Sequence, residues 1–336
     1  MKSKIIGIFG VIIATGLVGC AQPPPQQFSM QRPDEQKPQT VTLRYRWTKG
    51  ESATYRLTSQ TDTSVTGMPG AGAMTLGQTM TQVLKWTAED VSADGVATLR
   101  QTFQSIKMQI SGPAGKVTYD TAAPNDNPNP MIGAMRRVLG AMAGESIVVV
   151  MAADGTVASI DGASKILARI SANLPEDPGA EAITQGMKSI LSEDALKSTL
   201  AQSFAKLPAD PVKIGDSWRG QVTLAAAIVG KIQGTSTFTL KAVDETANGS
   251  VARIAAALVL KQESIAAPSG PANIVMTLGN SKGEGEILFD VARGRIRRNT
   301  MRTDMPSVVS MTAPDGSPAS VQNKTTTTTT MELVEK

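Results

Sequence analysis

The chain has 336 residues, 41% of them hydrophobic and 4% aromatic, with a formal net charge of +4. That is enough apolar material for one large domain or two modest ones. The weak positive balance, with no basic patch interleaved with aromatics, excludes a nucleic-acid platform. The lack of histidine excludes His-based triads, His metal sites and haem ligation by His.

The N-terminus reads as an export signal. Lys2 and Lys4 form a positive start, and Ile5 to Gly16 form an apolar run. That run is shorter than the ~20 residues needed to span a bilayer and fits a cleavable segment. Leu17-Val18-Gly19-Cys20 closes it with small residues and the only cysteine. The pattern is that of a bacterial lipoprotein signal. We expect residues 1–19 to be removed and Cys20 to be acylated, which leaves no thiol for disulfide or thiolate chemistry. Ala21 follows the Cys, and by resemblance to the sorting rule of enteric bacteria, in which Asp there retains a lipoprotein at the inner membrane, the expected address is the outer membrane, facing the periplasm. Residues 20–39, rich in Pro and Gln, read as a tether that cannot bury enough surface to order itself.

The first β-rich unit is expected over residues 40–161. Val41, Leu43, Tyr45 and Trp47 alternate with polar residues, the period of a half-buried strand. Lys49-Gly50-Glu51 turns the chain into a longer strand, from about Ala53 to Val65. Met74, Leu76, Met80, Leu84 and Trp86 share one face of the next. Ala93-Asp94-Gly95 is a tight turn before a strand from Val96 to Ser111. After an Asn/Pro loop, a helix is expected from Met131 to Ala143, with Met131, Met135 and Met142 on one face. A hairpin around Asp154-Gly155 ends the unit.

Residues 162–210 read as a helical segment. Ser192 is the expected N-cap of its last helix, followed by the apolar stripe Leu196, Leu200, Phe204 and Leu207. Residues 211–336 then repeat the first unit's landmarks. Lys49-Gly50-Glu51-Ser52 is matched by Ile214-Gly215-Asp216-Ser217, and Gly95-Val96-Ala97 by Gly249 with Val251-Ala252. Met151 to Val157 is matched by Phe289 to Ile296. The fold class is therefore mainly β (α+β): two related antiparallel β-meander or half-barrel units with helices between them. Six consecutive threonines, Thr325 to Thr330, suit an edge strand or a strand with one face to water.

These landmarks also carry a resemblance. Leu43-Arg44-Tyr45-Arg46-Trp47 before Lys49-Gly50-Glu51, and the Trp86 strand ending in Ser92-Ala93-Asp94-Gly95, are two of its motifs. Val117-Thr118-Tyr119-Asp120 is another. Leu207-Pro208 with Val212-Lys213-Ile214-Gly215-Asp216-Ser217-Trp218, and the Thr-rich strand before Met331-Glu332-Leu333, complete them. The chain resembles a family of bacterial lipoproteins classed only as a domain of unknown function. The resemblance implies secretion and a β-rich fold, and it transfers no catalytic or binding residue.

The remaining chemistry is sparse. No Gly-x-Ser-x-Gly elbow or phosphate loop is present. Ser203-Phe204-Ala205-Lys206 fits a Ser-x-x-Lys pattern, but Ser171-Ala172-Asn173 precedes it and no Lys-Thr-Gly follows, so it reads as a solvated helix face. Asp120, Asp126, Glu284 and Glu286 are the carboxylates considered for hydrolysis, with turns and exposed strands the simpler reading. The Asp126 loop lacks EF-hand spacing, and the methionines lack a dense copper-binding tract. Neither a cofactor nor a metal site is expected. Arg293, Arg295 and Arg297, with Arg298 and Arg302 nearby, form a candidate contact for anionic lipid or cell-wall polymer.

The functional expectation is a non-enzymatic, membrane-anchored protein for binding or envelope assembly. A lipid-like ligand would lie against Leu76, Met80 and Leu84, with Met131, Met135 and Met142 at the mouth of its cavity. Flexible thioethers accommodate varied acyl shapes. The alternatives are a structural or protein-interaction lipoprotein with a solid core, and a carboxylate-dependent hydrolase. Its partners would be the membrane, through Cys20, and other envelope proteins or a lipid.

Overall fold

Long stretches of β-branched and alternating apolar residues, punctuated by glycine turns, leave the backbone one economical solution: antiparallel strands that pair in sequence order. The computed structural model describes residues 40–334 except 68–71, 114, 124–128, 175–183, 189, 227–229, 248, 265–273 and 313–317. Cys20, the 20–39 tether and Asp126 lie outside the described residues.

The first run contains β1 (Ser52–Thr66), β2 (Met74–Val91), β3 (Ala97–Gly112), β4 (Gly115–Asp120), β5 (Ser146–Met151) and β6 (Val157–Asp161). Helix α1 (Pro130–Met142) precedes β5. Helices α2 (Ala163–Ala172) and α3 (Glu193–Ser203) follow β6. The second run contains β7 (Ser217–Ala226), β8 (Gly230–Thr246), β9 (Gly249–Ser264), β10 (Val275–Leu278), β11 (Ser281–Asp290) and β12 (Arg295–Thr312). Strand β13 (Pro318–Val334) ends the described chain.

Among the described residues all the strands belong to one 13-stranded sheet, with the order β6-β5-β3-β2-β1-β13-β12-β11-β9-β8-β7, and with β4 paired to β3 and β10 to β12 off this path. The two runs are therefore not separate half-barrels. They share a sheet, joined through β13, and the same antiparallel order is repeated in one direction across it: the first run leaves β13 in chain order from β1, and the second comes in chain order from the edge strand β7 to β12 beside β13. The repeat extends to single hydrogen bonds. Gly50 N–H donates to Ala88 O and Gly215 N–H to Leu240 O, both at 2.8 Å. Glu51 accepts from Thr48 N–H at 3.2 Å, and Asp216 accepts from Lys213 N–H at 3.0 Å. Both glycines have positive φ, 82° and 98°, which a side chain would oppose. One residue past each Ala88 and Leu240 partner, β2 and β8 carry a bulge.

Three elements depart from the sequence reading. Residues 41–47 bury Leu43, Tyr45 and Trp47 as the alternation predicts, but they do not join the sheet. Their backbone bonds go to turns instead: Tyr45 N–H to Ala153 O at 2.7 Å, and Arg46 N–H to Gly294 O at 3.1 Å. The Thr325–Thr330 stretch is not at an edge. It pairs with β1 on one side and β12 on the other, and its hydroxyls meet others across the ladder, such as Thr61 with Thr327 at 3.1 Å. Helix α3 stops at Ser203, because Phe204 is extended (φ −102°, ψ 102°) and Leu207 N–H donates to Asp154 O at 2.8 Å. Its start is as expected, with Ser192 Oγ accepting from Ala195 N–H at 3.3 Å.

The core lies on the inner face of the sheet. It is covered by the 41–47 strap and by α1 and α2, with Ile132, Met135, Leu139, Ile166 and Ile170 buried. Phe204 is its centre and meets Tyr45, Tyr55 and Trp86 edge-on, with centroids 5.8, 6.2 and 5.0 Å away. Helix α3 packs against β6 and β7, the two ends of the strand order, and so bridges the gap that hydrogen bonding leaves open.

Candidate functional site

The repeat makes position-by-position comparison of the two inner faces possible. Ser52 opposes Thr87 in the first run and Ser217 opposes Thr239 in the second, with hydroxyls 2.9 and 2.8 Å apart. Counting inward from these pairs, Tyr55 is replaced by Gly220, Leu84 by Ser236, Gln82 by Gly234 and Trp86 by Phe238. On the next strands, Gln101 is replaced by Ala256 and Ile147 by Gly285. The exchange reverses at Trp218, which stands for Ala53 and stacks on Phe238 at 5.9 Å. At the glycines neighbouring atoms take up the place of the missing side chain, Leu258 and Leu260 at Gly234, Lys206 and Phe238 at Gly220 and the Thr300 backbone at Gly285, whereas Ser236 lines open space.

The result is a cavity of about 280 Å³ between α3 and the second half of the sheet. Val222, Phe238, Leu258, Leu260, Ile287, Met301, Met305 and Met331 give it an apolar wall. Ser59, Ser236, Thr303, Thr327 and Thr329 add hydroxyls, and no charged side chain is among the described residues that line it. The first half keeps a smaller space of about 150 Å³, beside Leu84, Trp86, Phe103, Met142 and Phe204. Leu57, Thr199, Ser203 and Met331 border both spaces, so α3 stands between them.

The expected lining residues fall out unevenly. Leu84 and Met142 border the smaller space. Met80 packs part-buried against the core, Met135 is buried within it, and Leu76 is 42% exposed. The backbone of Met131 belongs to α1, and its side chain lies outside the described residues. Sequence reading missed Met301, Met305 and Met331. The period-two spacing of Met301, Thr303 and Met305 was the available signal, beside the arginines that drew attention to the same strand.

Those arginines do not form one exposed face. Arg295 is buried, ion-paired with Glu51, and lies 5.0 Å over the Trp47 ring. Arg297 sits at a bulge and bonds the buried Asp290 at 2.8 Å. Arg293 is exposed in the turn before β12. A bulge and a buried ion pair break the alternation that would have aligned them. Arg298 pairs with Glu332 at 3.3 Å and Arg302 with Asp304 at 3.4 Å.

The remaining candidates are also dispersed. Ser203 Oγ donates to Thr199 O at 3.1 Å, whereas Lys206 lies past the helix end and pairs with Asp154. Asp120 caps its own turn, accepting from Ala122 N–H at 2.9 Å. Glu284 and Glu286 lie on the exposed face of β11. Burial raises the Tyr45 and Tyr55 pKa values well above the ordinary phenol range, so both remain neutral packing groups. Tyr45 donates to Ala205 O at 3.1 Å.

The chain is thus a mostly antiparallel β protein, one curved sheet bridged by a helix and hollow on one side. It belongs to a family of unknown function (DUF6263), whose model matches residues 94–294. No curated protein matches it in sequence. Among solved structures it is similar to a lipovitellin chain described for its lipid–protein interactions, at 9% identity and a TM-score of 0.42. That similarity covers 86% of this chain and 25% of lipovitellin, so the chain spans about a quarter of that protein's length. It is also similar to DynF of the dynemicin pathway of Micromonospora chersina, at 9% identity and a TM-score of 0.20, covering 91% of this chain and 94% of DynF. Neither likeness is close enough to bear on function.

Proposed function

We propose that the protein is an exported, non-enzymatic lipoprotein, tethered to the outer membrane through acyl chains on Cys20, that holds a lipid-like ligand in its cavity. The carrying observation is the cavity itself, walled by Val222, Phe238, Ile287 and Met301 and opened where Ser236 stands in the place of Leu84. Close-packed interiors do not keep such space without cost, since lost contacts destabilise by about 24 cal/mol per Å³ of cavity. A ligand that fills the space restores those contacts. Methionines on the wall suit an occupant of variable shape.

The test is native mass spectrometry of the full chain taken from its own membrane. A non-covalent adduct should accompany the wild type and be lost in Ser236→Leu, which restores the bulk of Leu84. A bare mass in both would reject the carrier reading. It would favour a structural or envelope-assembly protein, a role to which the first half, packed around Tyr55, Trp86 and Phe204, is suited.

A further inference from the structure

Helix α3 and the edge strand β7 pack together but leave a groove open beside their contact. Ala195, Ser198 and Ala201 on the helix, with Gly220 and Val222 on the strand, border a solvent-open groove of about 680 Å³. Ala201 and Val222 also line the 280 Å³ cavity, so the two spaces adjoin across these two side chains.

The groove holds the charge that the cavity lacks. Lys197, Lys206 and Arg219 line it, with Asp194 the acid among its described lining residues. Lys197 is held by Glu193 at 2.9 Å, and Lys206 is held by Asp154. Arg219 is exposed and has no ion pair among the described residues. A guanidinium offers paired donors that match a carboxylate or phosphate in a way an ammonium cannot.

We propose that the ligand is an anionic amphiphile with one apolar chain, its chain in the cavity and its carboxylate or phosphate head in the groove on Arg219. This rests on the carrier reading above. The cavity is slightly below the ~300 Å³ at which drug-sized pockets begin, which fits one chain and not two. Its described lining has hydroxyls but no charge, so a charged head moved there would lose its hydration with no opposite charge to offset the loss. The head must therefore stay where water and Arg219 meet it.

The experiment measures displacement of a fluorescent polyene fatty acid from the full chain. The competitors are palmitate, lysophosphatidate, the methyl ester of palmitate, and inorganic phosphate. The two anionic amphiphiles should compete at least about tenfold better than the ester, and phosphate alone should not compete. Arg219→Gln should weaken the anionic amphiphiles about tenfold and leave the ester unchanged, and Arg219→Lys should recover only part of the loss. Ser236→Leu should weaken every chain-bearing competitor. The ratio of palmitate to lysophosphatidate affinity identifies which head the groove prefers. Equal binding of acid and ester, with no response to Arg219→Gln, would overturn the head-group assignment and leave the carrier reading intact. Displacement by phosphate alone would also overturn it. Failure of the polyene acid to bind at all would overturn both.

Discussion

The indole N–H of Trp218 donates to the Lys206 carbonyl at 2.7 Å and fastens the segment after α3 to the edge strand β7. Asn299 Nδ2 adds a bond to Ser203 O at 2.9 Å, and Phe204 is buried among aromatic rings. The C-terminal end of α3 is pinned, while Ile190, just before its N-terminus, is 61% exposed. Trp218→Phe should cost about 1 kcal/mol, the net worth of one such hydrogen bond. Urea unfolding reads that loss, and hydrogen exchange should show faster opening of the α3 amides than of the β2 and β3 ladder. Equal change in both regions would mean that Trp218 does not act through the helix.

Gly285 is fixed by close approach of the backbone. A Cβ built there would lie 2.1 Å from Thr300 O and 3.0 Å from Met301 Cα, both backbone atoms of the paired strand. Gly285→Ala should therefore destabilise by about 2–3 kcal/mol through forced separation of β11 and β12. Gly50→Ala meets no atom within 4 Å, and its cost is confined to the positive φ of 82°. Thermal unfolding should rank Gly285→Ala well below Gly50→Ala.

Acid should weaken the fold through its paired carboxylates. Burial by itself raises the Asp290 pKa, but the Arg293 backbone N–H and the Arg297 guanidinium outweigh it and hold the group below its ordinary range. Glu51 follows the same balance, with Arg295 opposing burial. The folded pKa values are depressed, so the stability they contribute is present above the unfolded values, about 3.9 for Asp and 4.3 for Glu. It is lost as pH falls through the folded values. Unfolding free energy from these groups should be flat near neutrality and fall below about pH 4. Asp290→Asn should flatten part of that slope, and an unchanged acid limb would show that this pair is not coupled to folding.

Cys20→Ser should abolish incorporation of labelled fatty acid and shift the chain out of the detergent phase. Label retained by the variant would refute the anchor.

Much of the fold is legible because strand periodicity and turn glycines are local properties. The Gly50 and Gly215 turns, the Gly95 and Gly249 turns and the Ser192 cap all depend on residues within a few positions of one another. The alternation at residues 41–47 correctly marks which side chains are buried, yet it cannot say that the backbone partners are the turns at Ala153 and Gly294. Alternation reports burial on one face, and a strap satisfies it as well as a strand does.

The site was harder to read for the same reason. Leu76 shares a face with Leu84 and Trp86, but β2 runs on past the core, so one face carries both a buried and an exposed residue. The arginine alternation fails at Arg297, because a bulge resets the register there.

By itself the sequence determined the class: antiparallel strands in two echoing runs with helices between them, and no histidine or thiol chemistry in the folded part. These follow from composition and short-range pattern, which need no knowledge of distant contacts. Only the tertiary structure decided that both runs share one sheet, that the threonine strand lies at its middle, and that the second half is hollow. Strand order depends on pairing between residues such as Thr61 and Thr327, far apart in the chain. A cavity is a difference in volume summed over several strands. Ser236 borders a hollow only when the sheet brings it to one face with Phe238, Ile287 and Met301 beneath α3.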